Sequence, residues 1–206
     1  MTPEAVVFDI GNVLIGWQPE RAFDQRVGPE RRAALFDTID LHAMNDRVDL
    51  GENFHDVLAE AIAQHPDFAT ELAFWRDDWL SLTGPVIDHS LHLLRALRSK
   101  GFPVFALSNF GVETYNWAQD FYPFLREFDR EYVSGHMRLS KPDAAIYRAL
   151  EADCGFAPNA LLFTDDRAEN IHAAKSRGWH THLFDDTAGW AQCLVNHGLL
   201  TKEEAS

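Results

Sequence analysis

The stretch AVVFDIGNVLIGW, residues 5–17, decides how the rest of the chain is read. Its first half is a short, continuous apolar run, the pattern of a strand buried on both faces in a parallel sheet. Asp9 interrupts it. A buried carboxylate is costly unless it is paired, hydrogen-bonded or coordinated. Two readings therefore stand: Asp9 ends the strand in a site, or it opens a turn with Gly11 and Asn12, which are turn residues.

Three more runs share the apolar character: FPVFALS (102–108), ALLFTDD (160–166) and THLF (181–184). Helical patterns lie between them. Ile87, Leu91, Leu94 and Leu97 share one helical face, and Lys100-Gly101 stops that helix. PDAAIYRALEADCG starts with Pro142 at a plausible first helical position and ends at Gly155, and RAENIHAAKSRG repeats the pattern up to Gly178. Strands alternating with helices predict an α/β fold, a parallel sheet in a three-layer arrangement.

Residues 16–85 break the rhythm. They contain no convincing strand and at least three helical stretches, around Phe23/Val27, Phe54–Ile62 and Phe68–Trp79. This reads as an inserted helical cap, with residues 1–15 and 86–206 forming the core. Ligands of open parallel sheets sit outside the carboxyl ends of the strands, so such an insertion would roof a site.

Composition narrows the classes. A net charge of -14 excludes a general nucleic-acid or anionic-membrane surface, which needs a stripe of Lys and Arg. Cys154 and Cys193 form neither a disulfide framework nor a CxxC pair. No segment has the apolar length of a membrane span, and the N-terminus lacks a signal peptide's basic flank and cleavage site. The expectation is a soluble, reduced, cytoplasmic protein; monomer and homodimer are not distinguished.

Four polar groups fall at or just after predicted strand ends: Asp9, Ser108-Asn109, Asp165-Asp166, and Lys141 after the hairpin-like stretch REYVSGHMRLS. Parallel strands would bring them to one rim. A carboxylate can attack an electrophile, further carboxylates can hold Mg²⁺, and a hydroxyl and a Lys can neutralise a phosphoryl group.

FDIGNVL, ALSNF, RLSKPDAAIY and LLFTDDRAENIHAA, in this order across nearly the whole chain, resemble the four motifs of the haloacid dehalogenase superfamily. The FDxGNV form resembles the subgroup around α-D-glucose 1-phosphate phosphatase. The resemblance implies a Rossmann-like core with a helical cap after the first strand, and Mg²⁺ as cofactor. Asp9 would be the nucleophile, Ser108 would bind the transferred group with Asn109 beside it, and Lys141 would stabilise charge. Asp9, the Gly11 carbonyl and Asp166 would ligate the metal, with Asp165 in a supporting or water-mediated place; Asn170 stands where relatives often carry a further acid. The implied activity is a phosphatase acting on a small phosphorylated metabolite, such as a sugar phosphate.

One position departs. Most phosphatases of this superfamily read D-x-D, the second acid protonating the leaving oxygen, and here that position is Gly11. General acid–base assistance is worth roughly 10²–10⁴ in rate. The chain thus reads as a slower phosphatase, one restricted to good leaving groups, or one whose cap or bound water supplies the proton. A 2-haloacid dehalogenase, whose halide leaves without a proton, is the alternative. It usually carries SSN rather than DD in the fourth motif, and an arginine for the substrate carboxylate; Arg21, Arg31, Arg32 and Arg47 are available, none in an alignable motif. A second alternative is a protein that binds phosphorylated ligands without turning them over.

Plainer roles stand beside these. Asp165-Asp166 could cap a helix, Lys141 could be a surface residue and Ser108-Asn109 a strand-ending turn. The ten histidines form no metal motif. Trp75 and Trp79, four apart on a predicted helix, are expected to pack the cap interior, and the KEEAS tail to fray. Trp17, Arg21 and Arg47 are candidates for the cap entrance.

Overall fold

The computed structural model describes residues 2–206. Strand β1 (Ala5–Phe8) leads into β2 (Ile15–Trp17), and five helices follow: α1 (Pro19–Val27), α2 (Pro29–Thr38), α3 (Leu41–Asp49), α4 (Phe54–Gln64) and α5 (Ala69–Asp77). Then come β3 (Thr83–Val86), α6 (Asp88–Ser99), β4 (Val104–Ser108), α7 (Val112–Phe121), β5 (Arg130–Val133) and the short α8 (Ser134–Met137). The chain finishes with α9 (Ala144–Cys154), β6 (Leu161–Asp165), α10 (Ala168–Ser176), β7 (His180–Leu183) and α11 (Thr187–Asn196).

Five strands make one parallel sheet in the order β5-β4-β1-β6-β7. Alternation along the strands divides the core into two layers. Val6, Phe8, Val104, Ala106 and Leu162 face Leu94, Leu97, Trp190 and Leu194, while Ala5, Val7, Phe105, Leu107 and Phe163 face Ile146, Tyr147, Leu150 and Trp179. The fold is α/β, with helices on both faces of the sheet. From β1 the chain reaches β4 and β5 on one side, then crosses to β6 and β7 on the other. The topological switch therefore lies at β1, where a crevice opens beyond the strand ends. Among the described residues no helix is long and apolar enough to cross a membrane.

Side chains cap several helices where the sequence places acids or amides. Asp40 accepts from Ala43 N at the start of α3, Asn53 from Asp56 N at α4, and Asp186 from Gly189 N at α11.

Local pattern misreads five places. The stretch taken to hold only helices is bounded by strands: β2 and β3 pair antiparallel, with Gly16 and Gly84 so close that a Cβ on Gly16 would stand 3.2 Å from the Gly84 Cα. These strands are short and their partners lie far apart in sequence, so neither carries a period of its own. REYVSGHMRLS is no hairpin; Arg130–Val133 pairs parallel to β4 at the sheet edge, and α8 follows. Helix α9 begins at Ala144, capped by Asp143, rather than at Pro142, and Trp79 lies beyond the end of α5 in a 3₁₀ turn. The acidic tail is docked rather than frayed: Ala205 is buried, His89 and His92 bond to the Ala205 and Glu204 carbonyls, and Lys100 pairs with Glu204 at 2.9 Å.

Candidate active site

Register brings the strand ends level. Phe8 pairs with Ala106 on one side and Thr164 on the other, so Asp9, Ser108 and Asp165 emerge together from β1, β4 and β6. Asp9 is fixed there by its own N–H, which donates to the Thr164 carbonyl at 3.0 Å. All the donors that reach its carboxylate converge on Oδ1: the Ile10 N–H at 2.7 Å, the Ser108 hydroxyl at 2.7 Å and Lys141 Nζ at 2.8 Å. Oδ2 receives none of them. Asp9 is thus oriented by one oxygen and holds the other for the cavity beside it.

Lys141 is buried between two acids, with Nζ 2.6 Å from Asp165 Oδ2 as well. Its backbone is clamped by Asn109, whose Nδ2 donates to the Lys141 carbonyl at 2.9 Å and whose Oδ1 accepts from the Lys141 N–H at 2.8 Å. Both ends of that amide are engaged in positioning Lys141. Asp165 is likewise taken up, accepting from Lys141, from Asn170 Nδ2 at 2.9 and 3.0 Å, and from the Arg167 N–H at 2.8 Å. The last bond braces the turn before α10, whose own N-terminus has no side-chain cap, so Asp165 belongs to the site and not to a helix cap. Asp166, half-buried, accepts from Asn12 Nδ2 at 2.9 Å, and Asn12 Oδ1 in turn accepts from the Trp17 N–H at 2.9 Å.

Burial dominates the electrostatics. It pushes the Asp9 carboxyl up to about 6 against the pull of Lys141, with Asp165 adding to the rise. Burial works against the Lys141 charge, yet Asp9 and Asp165 outweigh it and hold the ammonium above its ordinary range. Asp166 is also raised, first by burial. Three carboxylates crowd one point: an oxygen from each of Asp9, Asp165 and Asp166 lies within 4.8 Å of the others. The donors are hard oxygens, and Asp9 Oδ2 is free of hydrogen bonds from Ile10, Ser108 and Lys141, so the set fits a hard divalent cation.

A cavity of about 240 Å³ opens on these groups, and Gly11, Ser108, Asn109 and Lys141 all line it. Its far wall comes from the helical stretch and the ribbon: Trp17, Trp75 and Trp79, with His42, Asp46 and Asp49 of α3. The tryptophans both pack and line, since Trp17 sits 6.0 Å from Trp75 and 5.7 Å from Trp79 between ring centroids. Of the entrance candidates, Trp17 reaches the cavity; Arg21 is bonded to Gln18, and Arg47 to Glu52 and Glu60. Neither Asn12 nor Asp49 stands out in the sequence as a site residue. Asn12 reads locally as a turn residue, and Asp49 is one acid among many on an acidic helix.

Comparison with known proteins bears on the fold and the family. A family model described as haloacid dehalogenase-like hydrolase matches residues 3–178. A D-ribitol-5-phosphate phosphatase of Bacteroides thetaiotaomicron is 23% identical over 198 residues, 92% of this chain and 96% of the relative. The sesquiterpene phosphatase astK of Aspergillus oryzae is 22% identical over 189 residues, covering 91% and 93%. Among solved structures, a HAD family enzyme from Bacteroides thetaiotaomicron in complex with magnesium and inorganic phosphate superposes with a TM-score of 0.71 at 22% identity, covering 87% of this chain and 93% of the other. With the family model spanning most of its length, the chain belongs to the haloacid dehalogenase-like hydrolases.

Proposed function

We propose that this protein is a Mg²⁺-dependent phosphatase that cleaves a small phosphomonoester, of the sugar- or polyol-phosphate kind, through an aspartyl-phosphate on Asp9. The observation that carries the reading is the split of the Asp9 carboxylate, Oδ1 held by three donors and Oδ2 left for the cavity. Relatives that match over nine-tenths of the chain and are named as phosphatases support it.

In this reading Asp9 Oδ2 attacks phosphorus, and the fixed Oδ1 keeps the carboxylate from rotating away. Lys141 and Ser108 stand beside the attacking group and neutralise the phosphoryl oxygens. Asn109 and Asp165 hold Lys141 in place, the first by its backbone and the second by its ammonium. Asp9, the Gly11 carbonyl and Asp166 would hold Mg²⁺, with Asp165 behind them, and the bound ion would offset the repulsion between an anionic nucleophile and an anionic phosphoryl group. Residues 16–85 act as the cap, their α3 face and tryptophans closing the cavity over the core formed by 1–15 and 86–206.

The 2-haloacid dehalogenase reading draws on Gly11, which carries no proton donor. It meets two obstacles: three clustered carboxylates repel a carboxylate substrate, and the candidate arginines are engaged elsewhere, Arg31 with Glu71, Arg32 with Asp24, Arg47 with Glu52. The test is release of inorganic phosphate from a panel of sugar and polyol phosphates, with Mg²⁺ and with EDTA, beside halide release from 2-haloacids. Phosphate release that requires Mg²⁺ and drops by roughly 10³-fold or more in Asp9→Asn is expected. Halide release without the metal would overturn the reading. Tight beryllium fluoride or vanadate binding without turnover would instead identify a phospholigand-binding protein.

A further inference from the structure

Expulsion of an alkoxide from a phosphomonoester needs a proton, and Gly11 cannot deliver one. A Cβ built on Gly11 meets nothing within 4 Å, so among the described residues no side chain has moved into that space. The other wall of the cavity carries a carboxyl that the scheme above does not use. His42, Asn45, Asp46 and Asp49 of α3 recur at three- and four-residue spacing and line the same cavity as Asp9 and Gly11.

Asp49 ends α3 and is seated on the core. Asn45 Nδ2 donates to its Oδ2 at 2.9 Å, and the backbone of Gly111, in the loop that follows Ser108, stands beside the same carboxyl group. The approach depends on glycines. A Cβ on Gly111 would lie 2.4 Å from Val48 Cγ1, and one on Gly51 would lie 2.6 Å from the Gly135 carbonyl oxygen. These contacts lock the end of α3 to the loop after Ser108 and to α8, so Asp49 has a fixed place in the wall of the cavity that Asp9 and Ser108 also line. Burial, then Asp46 of its own helix and Asp9 of the core, push its carboxyl up to about 7, against the pull of Lys141 and the Gly111 N–H. A carboxyl poised near neutrality can both give and take a proton there.

We propose that Asp49 is the general acid and base of the reaction, supplying from α3 the proton carrier that Gly11 lacks. The proposal rests on the phosphatase reading. As the Asp9–phosphorus bond forms and the ester P–O bond breaks, the Asp49 carboxyl protonates the departing oxygen and the alcohol leaves. The Asp49 carboxylate then takes a proton from the water that attacks phosphorus, which releases inorganic phosphate and restores Asp9 as carboxylate and Asp49 as acid.

The leaving group tests it. With Mg²⁺ present, the single-turnover rate of leaving-group release, which precedes the hydrolysis step common to all esters, is measured for wild type and Asp49→Asn on alkyl phosphates, whose alkoxides need a proton, and on 4-nitrophenyl phosphate, whose phenolate does not. The expected loss is about 10²-fold or more on the alkyl esters and under about fivefold on the nitrophenyl ester. The nitrophenyl rate doubles as the check that the variant is folded. The wild-type single-turnover rate on alkyl esters falls as pH rises and the Asp49 acid loses its proton, and this descending limb disappears in Asp49→Asn. An equal loss on both classes, or none on either, overturns the role of Asp49 and leaves the phosphatase reading standing. A wild type inert on every ester overturns both.

Discussion

Asn12 shows how much of the site hangs on one small side chain. It stands in the left-handed region at φ 55°, a conformation asparagine tolerates better than most residues, and from there spans Asp166 and the Trp17 backbone. One amide thus ties an acid of the carboxylate cluster to the strand that leads into the helical stretch. Outer groups that orient a metal ligand typically matter 10- to 100-fold in affinity. Asn12→Ala is therefore expected to raise the Mg²⁺ concentration for half-maximal phosphatase activity by about tenfold or more, with a smaller change in kcat at saturating metal. A Mg²⁺ titration of activity checks this, and an unchanged half-saturation point refutes it. Asp9, Ser108 and Asp166 were legible because each sits in a motif at a strand end, and Lys141, which follows α8 rather than a strand, because its motif resembles the family's. Asn12 was not, because Gly-Asn after a strand is equally a plain turn.

At the scale of elements, the seam between α9, α10 and β7 is held by Glu151. Arg177 approaches it through two nitrogens at 2.7 and 2.5 Å, and Trp179 Nε1 donates at 2.8 Å. Burial opposes the charge on Glu151, but the bonds from Arg177 and Trp179 prevail and hold its carboxyl below the usual range. Because the folded-state pKa is depressed, the stabilisation is present above the unfolded value of about 4.3 and is lost as pH falls through the folded value. Glu151→Gln should destabilise the protein by about 2 kcal/mol at pH 7 and flatten this part of its acid-side loss of stability. Urea unfolding at pH 7 and at pH 4 measures both effects. The sheet strands were readable because burial on both faces makes them continuous apolar runs. The β2–β3 ribbon and the docked tail were not, since each is made by partners distant in sequence.

For the whole molecule, the charge of -14 is spread over a surface with few cations to spare, because most arginines are already paired with acids. Self-repulsion of the folded state is the expected consequence, and salt screens it. Thermal unfolding in NaCl should show Tm rising by a few degrees from low salt to about 0.5 M, where screening reaches only a few ångströms. A flat or falling Tm would mean that the surface ion pairs contribute more than the repulsion costs. The same excess of acids leaves Lys141, buried under the cavity between Asp9 and Asp165, as the cation nearest the proposed nucleophile.

The amino-acid order alone determined the alternation of apolar runs and helices, hence a parallel α/β sheet, and placed Asp9, Ser108 and Asp165-Asp166 at strand ends, because these are local patterns that burial imposes; Lys141, expected after a hairpin, follows α8 instead. Tertiary structure decided everything that depends on distance. It set the strand order with its switch at β1, the convergence of three donors on one oxygen of Asp9, the clamp of Asn109 on Lys141, and the seating of Asp49 against Gly111. Each joins residues from separate elements, and no local period records which separate elements will meet.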